Sequence, residues 1–328
     1  MTSATAPRVL VCALGGTIAM TDAGQGGVVP TESAASLVAA VPALGGVARV
    51  DAMSFRQIPG AHLTIEDCVE LAAALRGRAP AYGGIVVTQG TDTIEETSFA
   101  LDMLWEGDTP LVVTGAMRNP TLPGSDGPAN LLAAVRVAAS DVTRGNGCVV
   151  VMGDEIHAAL LVQKRHTTRP SAFTSPAGGA IGVVSERDVH VWADVRRGPR
   201  LASSPTVPVP RVALVRLSLG DDGGLLGAVP DLGYEGVVVE AFGGGHTDAG
   251  TAELLGAIAR TMPVVLASRT GAGAGLLRTY GFPGSERDLL GRGVIPAGTL
   301  DGLKARIALT LMLAAGMDRR QVAAELSA

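Results

Sequence analysis

The sequence predicts an α/β protein, with a doubly wound, mostly parallel sheet in an N-terminal domain and a second, smaller α/β domain after it. Three observations predict it. Short β-branched apolar runs, such as residues 84–88 and 148–152, have the unbroken hydrophobicity of strands covered on both faces. Between them lie segments whose apolar residues recur at helical spacing, so β and α alternate. Residues 196–211 are then rich in proline, serine and arginine without periodicity, and a second alternating set follows. The expected organisation is residues 1–195 as N-terminal domain, 196–211 as linker and 212–328 as C-terminal domain. A chain of 328 residues is longer than one domain ordinarily needs.

Residues 8–14 read as the first buried strand, running into Gly15-Gly16-Thr17-Ile18. Two glycines let the backbone turn sharply and carry Thr17 to the carboxyl edge of the sheet. The segment is neither a GxGxxG fingerprint nor a Walker loop. Residues 20–32 are glycine-rich and polar, which reads as a lid, an insertion or a plain surface loop. A helix at 33–41, a strand at 46–54 and a helix at 64–78 come next.

The centre of the pattern is residues 84–97. Gln89 and Gly90 end the strand, and from Thr93 onward Ile94, Thr97, Ala100, Leu101 and Leu104 recur at helical spacing. Thr93 with Glu96 has the form of a capping box. Thr91 and Asp92 therefore fall between a strand's carboxyl end and a helix's amino end, where open α/β sheets bind ligands. The two side chains either meet a small polar substrate there or only cap the helix. A strand at 110–114 leads into Gly115-Ala116-Met117-Arg118, a helix at 125–139 carries Asp126 near its start, and a strand covers 148–152. Short strands are expected at 160–162, 181–184 and 189–192. The second set comprises strands at 212–217, 236–241 and 264–268, and helices at 248–260, 300–315 and 319–326.

Composition narrows the function. With 47% hydrophobic and 17% charged residues the chain is globular, and a net charge of −5 without any Lys/Arg run argues against nucleic acid as partner. Cys12, Cys68 and Cys148 are odd in number and lack a CxxC, so buried free thiols and a reducing compartment are expected. The amino terminus lacks the basic region and long apolar core of a signal peptide, and no run of about 18 apolar residues could span a bilayer. The expectation is a cytoplasmic protein with no membrane partner. Lysine occurs only at 164 and 304. Lys164 ends an apolar run, so it either snorkels to the surface or is buried and paired, with Asp92 as the available charge. A hydroxyl held beside a desolvated lysine and an acid is one way to activate an alcohol nucleophile.

The segments Leu14-Gly15-Gly16-Thr17-Ile18-Ala19 and Val87-Thr88-Gln89-Gly90-Thr91-Asp92-Thr93-Ile94-Glu95-Glu96-Thr97 resemble the two signatures of the bacterial-type L-asparaginase (asparaginase/glutaminase) family. Residues 114–118, the run Ser125-Asp126-Gly127-Pro128-Ala129-Asn130-Leu131, Lys164 with Thr167, and residues 298–306 are similar to the family in the same order. The resemblance implies hydrolysis of L-asparagine to L-aspartate and ammonia in two steps. Thr17 would attack the side-chain amide, and Thr91, backed by Lys164 and Asp92, would supply the second catalytic hydroxyl. Substrate-contacting positions implied are Gly60, Ala61, Gly90, Thr91, Asp92, Ala116, whose carbonyl would accept from the leaving amide, and Glu286. No cofactor and no metal are implied. The implied assembly is a homodimer or homotetramer in which Glu286 is donated to a neighbouring subunit's site, whereas the residue read alone is a solvated surface charge.

The chain also departs from the family. Residues 19–35 contain no tyrosine where the family has one in its lid. The family's serine for the substrate α-carboxylate becomes Gly60, its aspartate two positions on becomes His62, and an asparagine becomes His246. An amidase for another small amide such as glutamine, or a non-catalytic amino-acid-binding protein of the same fold, are the alternatives these changes leave open.

Overall fold

The computed structural model describes residues 6–16, 18, 20–22, 28–30, 33–194, 197–201 and 203–327. The chain divides into two units, residues 1–200 and 201–328. In chain order the first contains β1 (Arg8–Ala13), a ribbon of β2 (Met20–Asp22) and β3 (Val28–Pro30), α1 (Ala34–Ala39), β4 (Arg49–Ser54), α2 (Ile65–Arg76), β5 (Gly84–Thr88) and α3 (Ile94–Leu104). It continues with β6 (Leu111–Thr114), α4 (Gly127–Ala138), β7 (Cys148–Met152), β8 (Glu155–Ala158), β9 (Gln163–Lys164), β10 (Phe173–Thr174), β11 (Gly182–Ser185) and β12 (Asp188–Val191).

Eight of these strands form one sheet in the order β12-β11-β8-β7-β6-β5-β1-β4. β4, β1, β5, β6 and β7 run parallel, and β8, β11 and β12 extend the sheet by antiparallel pairs. Every residue of β5, β6 and β7 is buried, as strands covered on both faces must be. Val9, Val11, Val86 and Val112 point to the face covered by α1 and α4. α2 and α3 pack together on the opposite face. The chain leaves β1 for one face and β5 for the other, although the two strands are neighbours. Their carboxyl ends therefore diverge into a crevice at a topological switch point. α2 begins with a reciprocal cap: Thr64 Oγ1 accepts from the Asp67 amide at 3.1 Å, and Asp67 Oδ2 accepts from the Thr64 amide at 3.0 Å.

Two local expectations are corrected. Thr93 and Glu96 form no capping box: Thr93 makes no side-chain bond to its helix and instead donates from Oγ1 to the Gly60 carbonyl at 3.0 Å. Its hydroxyl is committed to another turn. Residues 160–162 are not a strand, because the chain reverses at once after β7 through Gly153 (φ 59°) and Asp154 (φ 65°). Those two left-handed residues make a tight hairpin that puts the strand at Glu155–Ala158 instead. Residues 20–22 and 28–30 pair as an antiparallel ribbon, while the rest of the expected loop, at 23–27 and 31–32, lies outside the described residues.

The second unit contains β13 (Val212–Arg216), α5 (Gly224–Ala228), β14 (Gly236–Ala241), α6 (Ala249–Ile258), β15 (Val264–Ser268), α7 (Glu286–Gly291), β16 (Ile295–Pro296), α8 (Gly302–Ala314) and α9 (Arg319–Ser327). Its four strands are parallel and follow chain order. Leu226, Leu255 and Leu289 bring α5, α6 and α7 onto one face, and α8 packs along β13, β14 and β15. Cys12, Cys68 and Cys148 are buried and unbridged, and burial pushes the thiols of Cys12 and Cys68 up to about 12. No helix among the described residues is long and apolar enough to cross a membrane.

Candidate active site

Turns after β1, β4, β5 and β6 meet at the carboxyl edge of the first sheet. They approach backbone to backbone. Gly16 has φ 83°, and a Cβ placed on it would sit 1.9 Å from the Gly90 nitrogen. A Cβ on Gly60 would fall 2.9 Å from the Gly90 carbonyl oxygen, and one on Gly115 would fall 2.7 Å from the Gln89 oxygen and 3.2 Å from the Thr91 methyl. Glycine is required here because two main chains occupy the space a side chain would take. The effect is to draw the turns carrying Gly60, Thr91 and Ala116 into one cluster.

Thr91 opens a single 3-10 turn, Thr91–Thr93, between β5 and α3, and is buried. Beneath it lies Gln89, fully buried, whose Nε2 donates to the Gly90 carbonyl, Thr93 Oγ1 and Thr97 Oγ1, each at 3.3 Å. Lys164 arrives on β9, which among the described residues pairs only with β10. Its Nζ lies 3.0 Å from Thr91 Oγ1 and 2.7 Å from Asp92 Oδ1. The lysine side chain is 14% exposed and the aspartate 64%. Lys164 is therefore not a snorkelling surface residue: its ammonium is tucked against the hydroxyl, with a carboxylate facing water on its other side. A cation donating to Oγ1 favours the deprotonated oxygen, so this hydroxyl is set to give up or relay a proton.

The β9–β10 hairpin is itself anchored. Ser175, just after β10, pairs with Nδ1 of buried His157 on β8 at 2.9 Å. Burial pulls the His157 imidazole below its ordinary value and outweighs the raising effect of Glu155.

The other expected residues fall as follows. Thr17 lies outside the described residues. Its neighbours Gly16 and Ile18 are described and buried. Gly60 and Ala116 are buried in their turns, while Ala61 and His62 are exposed. Glu286 belongs to the second unit and is no surface charge. It is 0% exposed, and its Oε1 accepts from the amides of Thr279 and Tyr280, each at 2.7 Å, while Oε2 lies 3.2 Å from His246 Nε2. Burial raises its carboxyl, but the amides of Tyr280 and Thr279 with His246 outweigh that and hold it below the ordinary glutamate range. His246 is stacked edge-on against Tyr280 and Phe282.

Asp126 and Asn130 take roles that the sequence does not announce. Asp126 precedes α4 but makes no side-chain cap bond, and its carboxylate reaches back to the amides of Met117 and Arg118 at 3.0 and 2.8 Å. Asn130 Nδ2 donates to the Gly115 carbonyl at 3.0 Å. An Asp and an Asn four apart at a helix start, just after a Gly-rich turn, was the available signal; ordinary capping explained it as well.

Fold and site together define a two-unit α/β protein with a hydroxyl, ammonium and carboxylate cluster at the switch point of its larger sheet. The model for the asparaginase N-terminal domain matches residues 8–197, and that for the glutaminase/asparaginase C-terminal domain matches residues 211–325. The chain belongs to the bacterial-type L-asparaginase family of enzymes. It is 36% identical to a probable L-asparaginase of Deinococcus radiodurans, over 97% of each chain. It is 31% identical to an L-asparaginase of Bacillus licheniformis, over 94% of this chain and 95% of that one. The crystal structure of a probable cytoplasmic L-asparaginase from Campylobacter jejuni superposes with a TM-score of 0.88 at 27% identity, covering 98% of this chain and 99% of the other.

Proposed function

We propose that this protein hydrolyses the side-chain amide of L-asparagine to L-aspartate and ammonia. One observation carries the reading: Lys164 Nζ stands at 3.0 Å from Thr91 Oγ1 and 2.7 Å from Asp92 Oδ1. Thr17 Oγ1 attacks the amide carbon, its proton passes to the departing nitrogen, and ammonia leaves an ester on Thr17. Water then attacks that ester, and the hydroxyl of Thr91, tuned by Lys164 and Asp92, moves the proton. The Thr91 amide, at a helix start, helps to hold the transient oxyanion. The Ala116 carbonyl accepts from the leaving amide, and Asp92, mostly exposed beside Lys164, receives the substrate's α-ammonium. Gly60, Ala61 and Gly90 offer backbone groups to the substrate, and Glu286 serves the site of a neighbouring copy in a dimer or tetramer once its buried carboxylate gives up part of its bonding to Thr279, Tyr280 and His246.

One observation supports a second reading on substrate. With a Cβ at Gly60 placed 2.9 Å from the Gly90 oxygen, this turn sits too close to its neighbour to carry the family's serine hydroxyl. An amide without an α-carboxylate, or with a longer arm, loses less here than in a serine-bearing site. Ammonia release from asparagine, glutamine and simple amides separates the readings. Asparagine hydrolysed with the highest kcat/KM supports the first, and a preference for another amide supports the second.

A further inference from the structure

The turn after β6 is held on both sides of Ala116 by two side chains, Asp126 just before α4 and Asn130 within it. Asn130 Nδ2 donates to the Gly115 carbonyl at 3.0 Å and to Asp126 Oδ2 at 3.1 Å, and its Oδ1 accepts from the Gly153 amide at 3.0 Å. That ties the cluster to the end of β7. Asp126 spreads its carboxylate over the next two amides, Oδ2 taking Met117 N–H at 3.0 Å and Oδ1 taking Arg118 N–H at 2.8 Å. Met117 N–H and the Ala116 carbonyl belong to one planar trans peptide and point in opposite directions. Fixing the N–H on Asp126 therefore fixes the direction of the Ala116 oxygen. Among the described residues nothing donates to that oxygen. A carboxylate on the N–H also polarises the peptide and makes its carbonyl a stronger acceptor.

The cost at the helix is visible. An aspartate at the start of α4 ordinarily accepts from the amides two and three positions on. Here the second residue of α4 is Pro128, which has no N–H, and Asp126 makes no cap bond at all. Gly127 completes the approach, since a Cβ there would lie 3.3 Å from the Ala116 side chain and 3.0 Å from Ile18.

We propose that Asp126, braced by Asn130, is a positioning residue that aims the Ala116 carbonyl at the N–H of the leaving group, and so sets the preference for amides over substrates whose leaving group has no N–H. This rests on the amidohydrolase reading above. The test is a pair of substrates, L-asparagine and the β-methyl ester of L-aspartate, whose leaving group offers no hydrogen to accept. Asp126→Ala is expected to lower kcat/KM for asparagine roughly ten- to hundredfold, the worth of one oriented hydrogen bond, mainly through kcat. For the ester the loss is expected within about threefold. Asp126→Asn, which keeps one acceptor oxygen, falls between, and remains informative where the alanine variant folds poorly. A crystal structure of either variant should show the 116–117 peptide plane turned. Equal losses on amide and ester, or an unmoved plane with unchanged kinetics, overturn the aiming role. A wild-type protein that releases ammonia from no amide overturns the underlying reading, and the aiming role falls with it.

Discussion

Lys164 Nζ lies 3.0 Å from Thr91 Oγ1, although 73 positions separate the two residues. A two-residue strand pairing, β9 on β10, and the turn after β5 bring them together. The ammonium has two roles at once: it donates to the hydroxyl and it is neutralised by Asp92 at 2.7 Å.

Removing either end of this contact should stop turnover while leaving the fold. Lys164→Met and Thr91→Val are each expected to lower kcat by roughly three orders of magnitude, and the double variant by little more, because groups acting as a unit do not add. Steady-state ammonia release measures this, and thermal melts check folding. Full activity in either single variant removes that residue from the chemistry.

Glycine substitutions, at two edge turns (Gly16, Gly60) and in the 3-10 turn before β4 (Gly45), should rank by the space around them. Gly45→Ala meets nothing within 4 Å and should be near neutral. Gly60→Ala places a Cβ 2.9 Å from the Gly90 oxygen and should cost roughly 1–3 kcal/mol by overpacking. Gly16→Ala combines a 1.9 Å approach with φ 83° and should cost more than either. Denaturant unfolding gives the order, and Gly60→Ala with wild-type stability contradicts the close approach.

Much of this was legible in advance and some was not. The strands at 84–88 and 148–152 and the turn between β5 and α3 follow from unbroken apolar runs and the Gln89-Gly90 break, which leave little choice of local structure. The short elements α5, α7 and β16 were not, because two to six residues carry no periodicity. Thr93 departs from the capping box its sequence predicts because its hydroxyl obeys a long-range partner, the Gly60 carbonyl, over the local cap. The hairpin at Gly153-Asp154 was readable in principle, since two left-handed residues after a strand mark a tight reversal. The pairing of His246 with Glu286 has no sequence signal: 40 positions part them, and only the folded second unit brings them together.

Glu286 makes the second unit sensitive to acid. Its folded carboxyl lies below the ordinary value of 4.5, so its contribution is present above that value and is lost as pH falls through the folded one. Asp248 and Asp288, both held low, the first chiefly by Thr251 and the second chiefly by the Gly284 amide, act in the same sense. The stability gap between wild type and Glu286→Gln should shrink as pH falls below about 4.5, followed by thermal melts from pH 7 to pH 3. A gap independent of pH contradicts the bonding of Glu286 to Thr279, Tyr280 and His246.

Buried Asp102 pairs with partly buried Arg197 at 3.0 Å, and Asp102 Oδ1 also accepts from the Cys148 amide at 2.8 Å. Arg197 Nη2 donates further to the carbonyls of Asp102 and Trp105. Asp102→Ala strands a mostly covered guanidinium and a buried amide, and should cost roughly 3–5 kcal/mol in denaturant unfolding. A loss below about 1 kcal/mol shows that water replaces the carboxylate.

The central claim is that the cluster on Thr91, Asp92 and Lys164 serves the hydrolysis of an amide. Incubating the purified protein with L-asparagine, and assaying ammonia and aspartate in the same samples, addresses it most directly. Catalytic release of the two products in equal amounts, with no added cofactor, is the predicted result. Asparagine that raises the melting temperature yet yields no ammonia contradicts it, and makes this protein an amino-acid-binding member of its fold.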